Sequence, residues 1–326
     1  MQRLITACLG ALAVLMAATF AQAAPEKQKI VVGLPVTSAT FLPLFLADER
    51  GYFKNEGVDV DIVTFRGGTN MVRGMIAGNV DIGVTALAGV SVGIKAGQPI
   101  KAFYGGFNMA LFEWYAVKGI TSIEETKGKR FGVTSLGSST DFLTRYALKL
   151  NGIDPEKDVQ IIAAGGSGDR LPAMETSQLE VNILAPPYTF KAADLGYNRI
   201  VSQKDLAPDF PFHVFFATDD FREKNPETIR AFLRGLVRGI RDAKADRAGS
   251  IQVLAERTGL NDNYAGRAYD AFIDSIYEDG RMPSEAGMKA FWEMGILGGA
   301  YDEAWPEAKY LDRTFIDSYA QWKPGT

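Results

Sequence analysis

The stretch VDVDIVTFRGGTNMVRGMIAGNVD, residues 58–81, decides the fold. Val58-Asp59-Val60-Asp61-Ile62-Val63 alternates with the period of a strand, Gly67-Gly68-Thr69 turns the chain, and the helical spacing that follows stops at Gly78. The same punctuation recurs 99 positions further on. Val60 falls on Val159, Ile62 on Ile161, Gly67 on Gly166, Met75 on Met174 and the acidic Asp81 on Glu180; upstream, Gly33 falls on Gly132 and Thr40 on Ser139. Apart from chance matching at low identity, the simplest reading is a repeat: two α/β lobes of one topology, each with right-handed crossovers and a mostly parallel sheet.

Working outward, Ile30 to Gly33 reads as a strand and Phe41 to Arg50 as a helix, with Thr40 as its N-cap, Pro43 in its first turn and Gly51 at its stop. Strands at 80–84 and 100–103 flank a helix at 87–95. In the second copy, the strand 130–134 leads through Gly137 to Ser138-Ser139-Thr140, which opens a helix closed by Asn151-Gly152. From His213 to Thr218 the chain reads as a strand, and beyond it as helix. The helix begun at Asn225-Pro226 places Ile229, Phe232, Leu233, Leu236, Val237 and Ile240 on one face and Arg230, Arg234, Arg238 and Arg241 on the other. Such a basic stripe is either a solvated face or a surface for an anionic partner.

The N-terminus carries Arg3, an apolar run from Leu4 to Phe20, and then Ala21-Gln22-Ala23, the small-x-small pattern of a signal peptide cut after Ala23. Export to the periplasm is the expectation, with an uncleaved anchor as the alternative. Cys8, the only cysteine, lies inside that run, so cleavage leaves no thiol for disulfides, catalysis or metal. His213 is the only histidine, which excludes the usual multi-histidine zinc site. No metal and no cofactor are expected. A formal net charge of −4 without a basic cluster argues against nucleic acid as a partner.

In parallel α/β sheets ligands bind beyond the carboxyl ends of the strands, where loops lead into helix starts. The paired loops here are 36–40 with 135–140, 66–69 with 165–169, and 85–87 with 184–188, all rich in Gly, Ser and Thr. The first lobe is expected to offer a ligand Ser38, Thr40, Phe41, Thr69, Thr85 and Asn108. The second is expected to offer Ser135, Ser138, Ser139, Thr140, Gly168, Asp169 and Tyr188, with Trp114 and His213 on the cleft floor. Small hydroxyls and free helix-start amides suit an anionic group. Each hydroxyl taken alone is equally well read as a helix cap. Trp114, Phe107 and Phe112 also read as core, and His213 as either a packed residue or a pH-sensitive contact. Arg66 and Arg170 adjoin the loops, as rim residues by default or as bidentate partners of a carboxylate or sulfonate. Asp169 would repel an anion and favour an amine or ring NH, unless it serves only as a helix N-cap.

FLADERGYFKNEGVDVDIV (45–63) and AGNVDIGVT (77–85) resemble the solute-binding proteins of the SsuA/THI5-like (NMT1) family. So do ITSIEETKGKRFGVTSLGSSTDFLTRYALKLNGIDPEKDV (120–159) and METSQLEVNILAPPYTFKAADLGYNRI (174–200). The resemblance covers roughly Gly33 to Ile200. It implies the α/β type II periplasmic-binding-protein fold, two lobes with a ligand cleft between them. Lobe 1 would comprise 24–112 and 219–326, lobe 2 would comprise 119–210, and the crossings would fall at 113–118 and 211–218. It also implies a monomer that hands a small-molecule ligand to the permease of an ABC transporter. The ligand classes implied are sulfonates, nitrate, aromatic carboxylates or thiamine-precursor pyrimidines. The family also contains enzymes that make the thiamine pyrimidine; this chain departs from them in its export signal and in lacking their cysteine-rich segment.

Overall fold

The computed structural model describes residues 23–325. The signal peptide expected over residues 1–23 therefore lies, but for Ala23, outside the described residues. Among those described, no helix is long and apolar enough to cross a membrane.

Among the described residues ten strands form two five-stranded sheets. The first sheet has the order β2-β1-β3-β10-β4, from β1 (Lys29–Leu34), β2 (Asp59–Thr64), β3 (Ile82–Thr85), β4 (Ile100–Phe107) and β10 (His213–Thr218). The second has the order β7-β6-β8-β5-β9, from β5 (Glu113–Ala116), β6 (Arg130–Val133), β7 (Gln160–Ala163), β8 (Val181–Leu184) and β9 (Asn198–Ser202). In each sheet the first three strands run parallel, and the fourth is antiparallel to both its neighbours. That fourth strand arrives from the other half of the chain: β10 returns to the first sheet after the second is complete, and β5 opens the second after the first.

The repeat is kept in three dimensions. Helices Gly68–Ile76 and Ser167–Glu175 match at the same offset, as do β3 and β8. The acidic pair does the same work in both copies. The Asp81 carboxylate accepts the Val31 amide at 3.0 Å, and the Glu180 carboxylate accepts the Arg130 amide at 2.9 Å. Gly33 and Gly132 are glycine for a common reason, since a Cβ there would press on Val80 and Met71 in one lobe and on the equivalent Leu179 and on Asn182 in the other.

Two expectations need correction. Residues 113–116 and 213–218 are strands inside the sheets rather than crossings; the connections between the sheets fall earlier, at 108–112 and 203–212. Thr40 is not a cap: Ser38 caps the short 3-10 turn Ala39–Phe41, accepting the Thr40 amide, and the helix proper is Leu42–Glu49. The C-terminal part also reaches beyond the first lobe, because helix Glu285–Gly298 stacks Phe291 on Phe142 of the second at 5.5 Å. The basic stripe of helix Pro226–Ala245 is internally paired. Arg230 meets Glu227, Arg234 and Arg238 meet Glu56, and Arg241 meets Glu278, so it is neither free nor a docking surface by charge alone.

Candidate functional site

A cavity of about 110 Å³ lies between the lobes, at the carboxyl ends of the parallel strands. The first lobe lines it with Pro35 to Ala39, Gly68, Thr85 and Ala86, and the second with Thr134, Ser138 to Thr140, Gly166, Ser167, Arg170 and Ala185 to Tyr188. Phe112, Phe212 and His213 close the crossing side, and Thr258, the last residue of helix Arg247–Thr258, and Leu260, in the loop after it, come from the C-terminal part. Four helices of nine or more residues start at this wall, at Gly68, Leu87, Ser139 and Ser167. Their first-turn amides have no acceptor within the helix, and their dipoles place partial positive charge toward the cavity.

Arg170 is the only charged residue among those lining the cavity. It is 1% exposed and, among the described residues, pairs with no carboxylate, Asp169 lying instead near Arg66. Its guanidinium makes two long hydrogen bonds, to Thr134 Oγ1 at 3.4 Å and Ser167 Oγ at 3.2 Å, while Nε has no partner. Burial, only partly opposed by the neighbouring Asp169, pulls its pKa down to about 9, so it remains charged at neutral pH. The equivalent residue of the first lobe, 99 positions earlier, is the buried Met71. The rim position expected for Arg170 is therefore wrong: helix Ser167–Glu175 directs it inward, whereas Arg66 stays at the exposed rim, 4.0 Å from Asp169. Asp169 is a cap: its carboxylate accepts the Gly166 amide at 2.9 Å and borders a separate outer groove, leaving no acid on the cavity wall.

The second lobe's hydroxyls form one connected cluster. Ser138 Oγ lies 2.9 Å from Thr140 Oγ1, which accepts the Thr134 amide at 2.9 Å, and Ser138 Oγ accepts the Ser135 amide at 3.4 Å. These hydroxyls brace the β6 loop and do not cap the helix. Ser139 lines the cavity without a side-chain bond of its own. In the first lobe Ser38 and Thr85 line it, whereas Thr40 hydrogen-bonds Ser38 at 3.1 Å from behind.

His213 is 6% exposed and lines the cavity. Its ring stacks on Phe41 at 4.7 Å and contacts Phe212 at 4.0 Å; burial holds it neutral by lowering its pKa to about 3. Phe41 thus backs the site and does not reach it.

Several expected contacts lie elsewhere. Trp114 is core and donates to Thr144 Oγ1 at 3.0 Å; Asn108 donates to the Arg281 carbonyl at 3.0 Å. Gly168 packs under the Tyr188 hydroxyl, and only Tyr188 of that pair reaches the cavity. Thr69 and Ser135 act between the lobes. Thr69 donates to the Leu136 carbonyl at 3.1 Å, and Ser135 packs against Gly67, where a Cβ would collide with it. Thr258 and Leu260, which line the cavity, carry no signal in the sequence, and Arg170 stands there as a rim residue by default, with an anion partner as the alternative. Among the described residues no group of His, Cys, Asp and Glu is placed to hold a metal ion.

Two mixed sheets, a donated antiparallel strand in each and a cavity between them define the periplasmic-binding-protein fold, and solved structures agree. The alkanesulfonate-binding protein SsuA from Xanthomonas axonopodis pv. citri superposes with a TM-score of 0.73 at 17% identity, over 89% of this chain and 99% of that one. Within that class, the chain belongs to the family described as NMT1/THI5 like, whose model matches residues 38–248. Its relatives include the putative binding protein YtlA of Bacillus subtilis, 26% identical over 72% of each chain. They also include the bicarbonate-binding protein CmpA of Synechococcus elongatus, 24% identical over 72% of this chain and 59% of that protein. The chain thus spans about three fifths of CmpA. A 4-amino-5-hydroxymethyl-2-methylpyrimidine phosphate synthase of Schizosaccharomyces pombe is 27% identical over 60% of this chain and 59% of that protein.

Proposed function

We propose that the chain is an exported solute-binding component of an ABC importer, which captures a small anion between its lobes and presents it to a membrane permease. The observation that carries the reading is the buried, unpaired Arg170 guanidinium on the cavity wall. A charge held out of water without a counter-ion is costly, and an entering anion supplies the missing partner. Four helix starts aimed at the same space add to the attraction. Sulfonate, nitrate and aromatic carboxylate are the anion classes in view; alkanesulfonate and bicarbonate are what two of the relatives are named for.

The alternative, a thiamine-precursor pyrimidine as ligand or product, draws on the Schizosaccharomyces pombe synthase. The cavity wall argues against it, because no carboxylate is present there to meet a basic amino-pyrimidine. Catalysis is disfavoured by His213, which is hydrogen-bonded neither to a hydroxyl nor to a carboxylate and so lacks the company of a general base. Export with cleavage after Ala23, a periplasmic location and a monomeric state belong to the same proposal.

The test is thermal stability and titration calorimetry with a panel of sulfonates, nitrate, bicarbonate and aromatic acids. A true ligand at a hundred times its Kd stabilises the protein by about 2.7 kcal/mol, a readily measured rise in Tm. Failure of every anion to do so removes the reading, and a covalent pyridoxal adduct in native mass spectrometry replaces it with the enzymatic one.

A further inference from the structure

We propose that His213 sets specificity at the anion site by donating a hydrogen bond from Nε2–H to an acceptor atom on the ligand. The ligand is then an organic anion carrying a second polar atom (a hydroxyl, carbonyl or ring nitrogen) and not a bare inorganic anion. This rests on the anion reading above and deepens it.

The ring cannot turn freely. β10 fixes its backbone opposite Phe107, and the ring is held by Phe41 at 4.7 Å and Phe212 at 4.0 Å. Nδ1 is fully enclosed with no hydrogen-bond partner, and no protein group bonds Nε2 either. Burial keeps the ring neutral, so it carries one proton to place on one of two nitrogens. A stranded N–H in a dry wall is rarer in folded proteins than an under-used acceptor. The proton therefore belongs on Nε2, the ring nitrogen that is not among the enclosed, unpartnered atoms, leaving Nδ1 as the unused acceptor. An N–H there asks for an acceptor, which nitrate or bicarbonate bound at Arg170 would have to satisfy with the same few atoms. Phe112, Phe212, Pro186 and Leu260 furnish apolar wall for a carbon body joining the two polar points.

His213 is the only histidine in the chain, so a 15N-histidine spectrum of the protein shows one imidazole. The expected tautomer is Nε2–H; an Nδ1–H tautomer overturns the proposal. Affinities are then compared within matched pairs: benzoate against its three monohydroxy derivatives and nicotinate, and ethanesulfonate against 2-hydroxyethanesulfonate, with nitrate and bicarbonate alongside. At least one acceptor-bearing acid is expected to bind ~10-fold or more tighter than its parent, since a site with a buried donor rejects the analogue that leaves it unpaired. His213→Phe should shrink that ratio to ~2-fold, whatever it does to the affinity for the parent acid. If His213→Phe does not fold, His213→Asn, which keeps a side-chain N–H, is expected to fold and retain the preference. An unchanged ratio in His213→Phe, a lost preference in His213→Asn, or inorganic anions matching the best organic acid each overturn the proposal. Binding of no anion at all overturns the reading beneath it, a distinct result.

Discussion

Replacing Arg170 with methionine should make the unliganded protein more stable and destroy its affinity for anions. The lowering of the Arg170 pKa from 12.5 to about 9 is a measure of what burial costs the charged form. At ~1.36 kcal/mol per unit that cost is on the order of 5 kcal/mol. Against it stand two hydrogen bonds, long ones at 3.4 and 3.2 Å, worth about 1 kcal/mol each at most, whose hydroxyl acceptors can turn to other partners. Methionine is the replacement the fold itself supplies, because Met71 fills the equivalent position of the first lobe, fully buried. A net gain of ~3 kcal/mol corresponds to several degrees in Tm. Scanning calorimetry of the apo protein measures that gain, and titration calorimetry should show a loss of at least ~100-fold in affinity, as expected when a charge's buried partner is removed. A variant that is less stable and still binds would refute the reasoning on both counts. One that is less stable and does not bind would make Arg170 a structural residue.

Three further outcomes follow from the same geometry. His213 titrates at about 3 in the folded chain against 6.5 unfolded, so the unfolded state binds more protons between those values. Its contribution is complete above pH 6.5 and lost as pH falls toward 3, and His213→Phe should flatten that limb of an acid-denaturation curve by up to ~5 kcal/mol. Ser139→Ala should leave Tm nearly unchanged and weaken binding several-fold, whereas Thr140→Val strands the Thr134 amide and should cost ~1–3 kcal/mol of stability by urea denaturation. Gly67→Ala, at φ +100° with its new methyl against Ser135 across the cleft, should hold the lobes apart and raise the liganded radius of gyration in small-angle scattering. Gly78→Ala, at φ +79° with open space around it, suffers the backbone strain alone and should keep full affinity.

The fold was legible because its signals are local and stated twice. Gly33 and Gly132 need the same absence of a side chain, and Asp81 and Glu180 hold the same strand amide, so a match at fixed offset reports a shared physical requirement. The crossings were misplaced because a strand entering a foreign sheet looks the same in sequence as one entering its own; only pairing distinguishes β5 and β10. The hydroxyl-rich loops converge on the cavity, but their sequence does not separate Ser139, which faces it, from Thr40, which stands behind Ser38. Trp114 and Asn108 were drawn toward the ligand by their nearness to the crossings, and both are instead satisfied by protein partners.

The rim placement of Arg170 is the informative error. Burial cannot be read from one arginine, yet the repeat held the signal: a position that packs as methionine in one lobe carries a guanidinium in the other. Two lobes of one topology have no reason of stability to differ so, since the methionine solution is the cheaper one. The difference has a functional consequence. With the cavity's only charge on the second lobe, the first contributes hydroxyls and helix starts that gain full strength only when closure excludes water. On the anion reading proposed above, an anion held by Arg170 would favour the closed state through contacts that the open lobe cannot make, and that difference in free energy would drive closure.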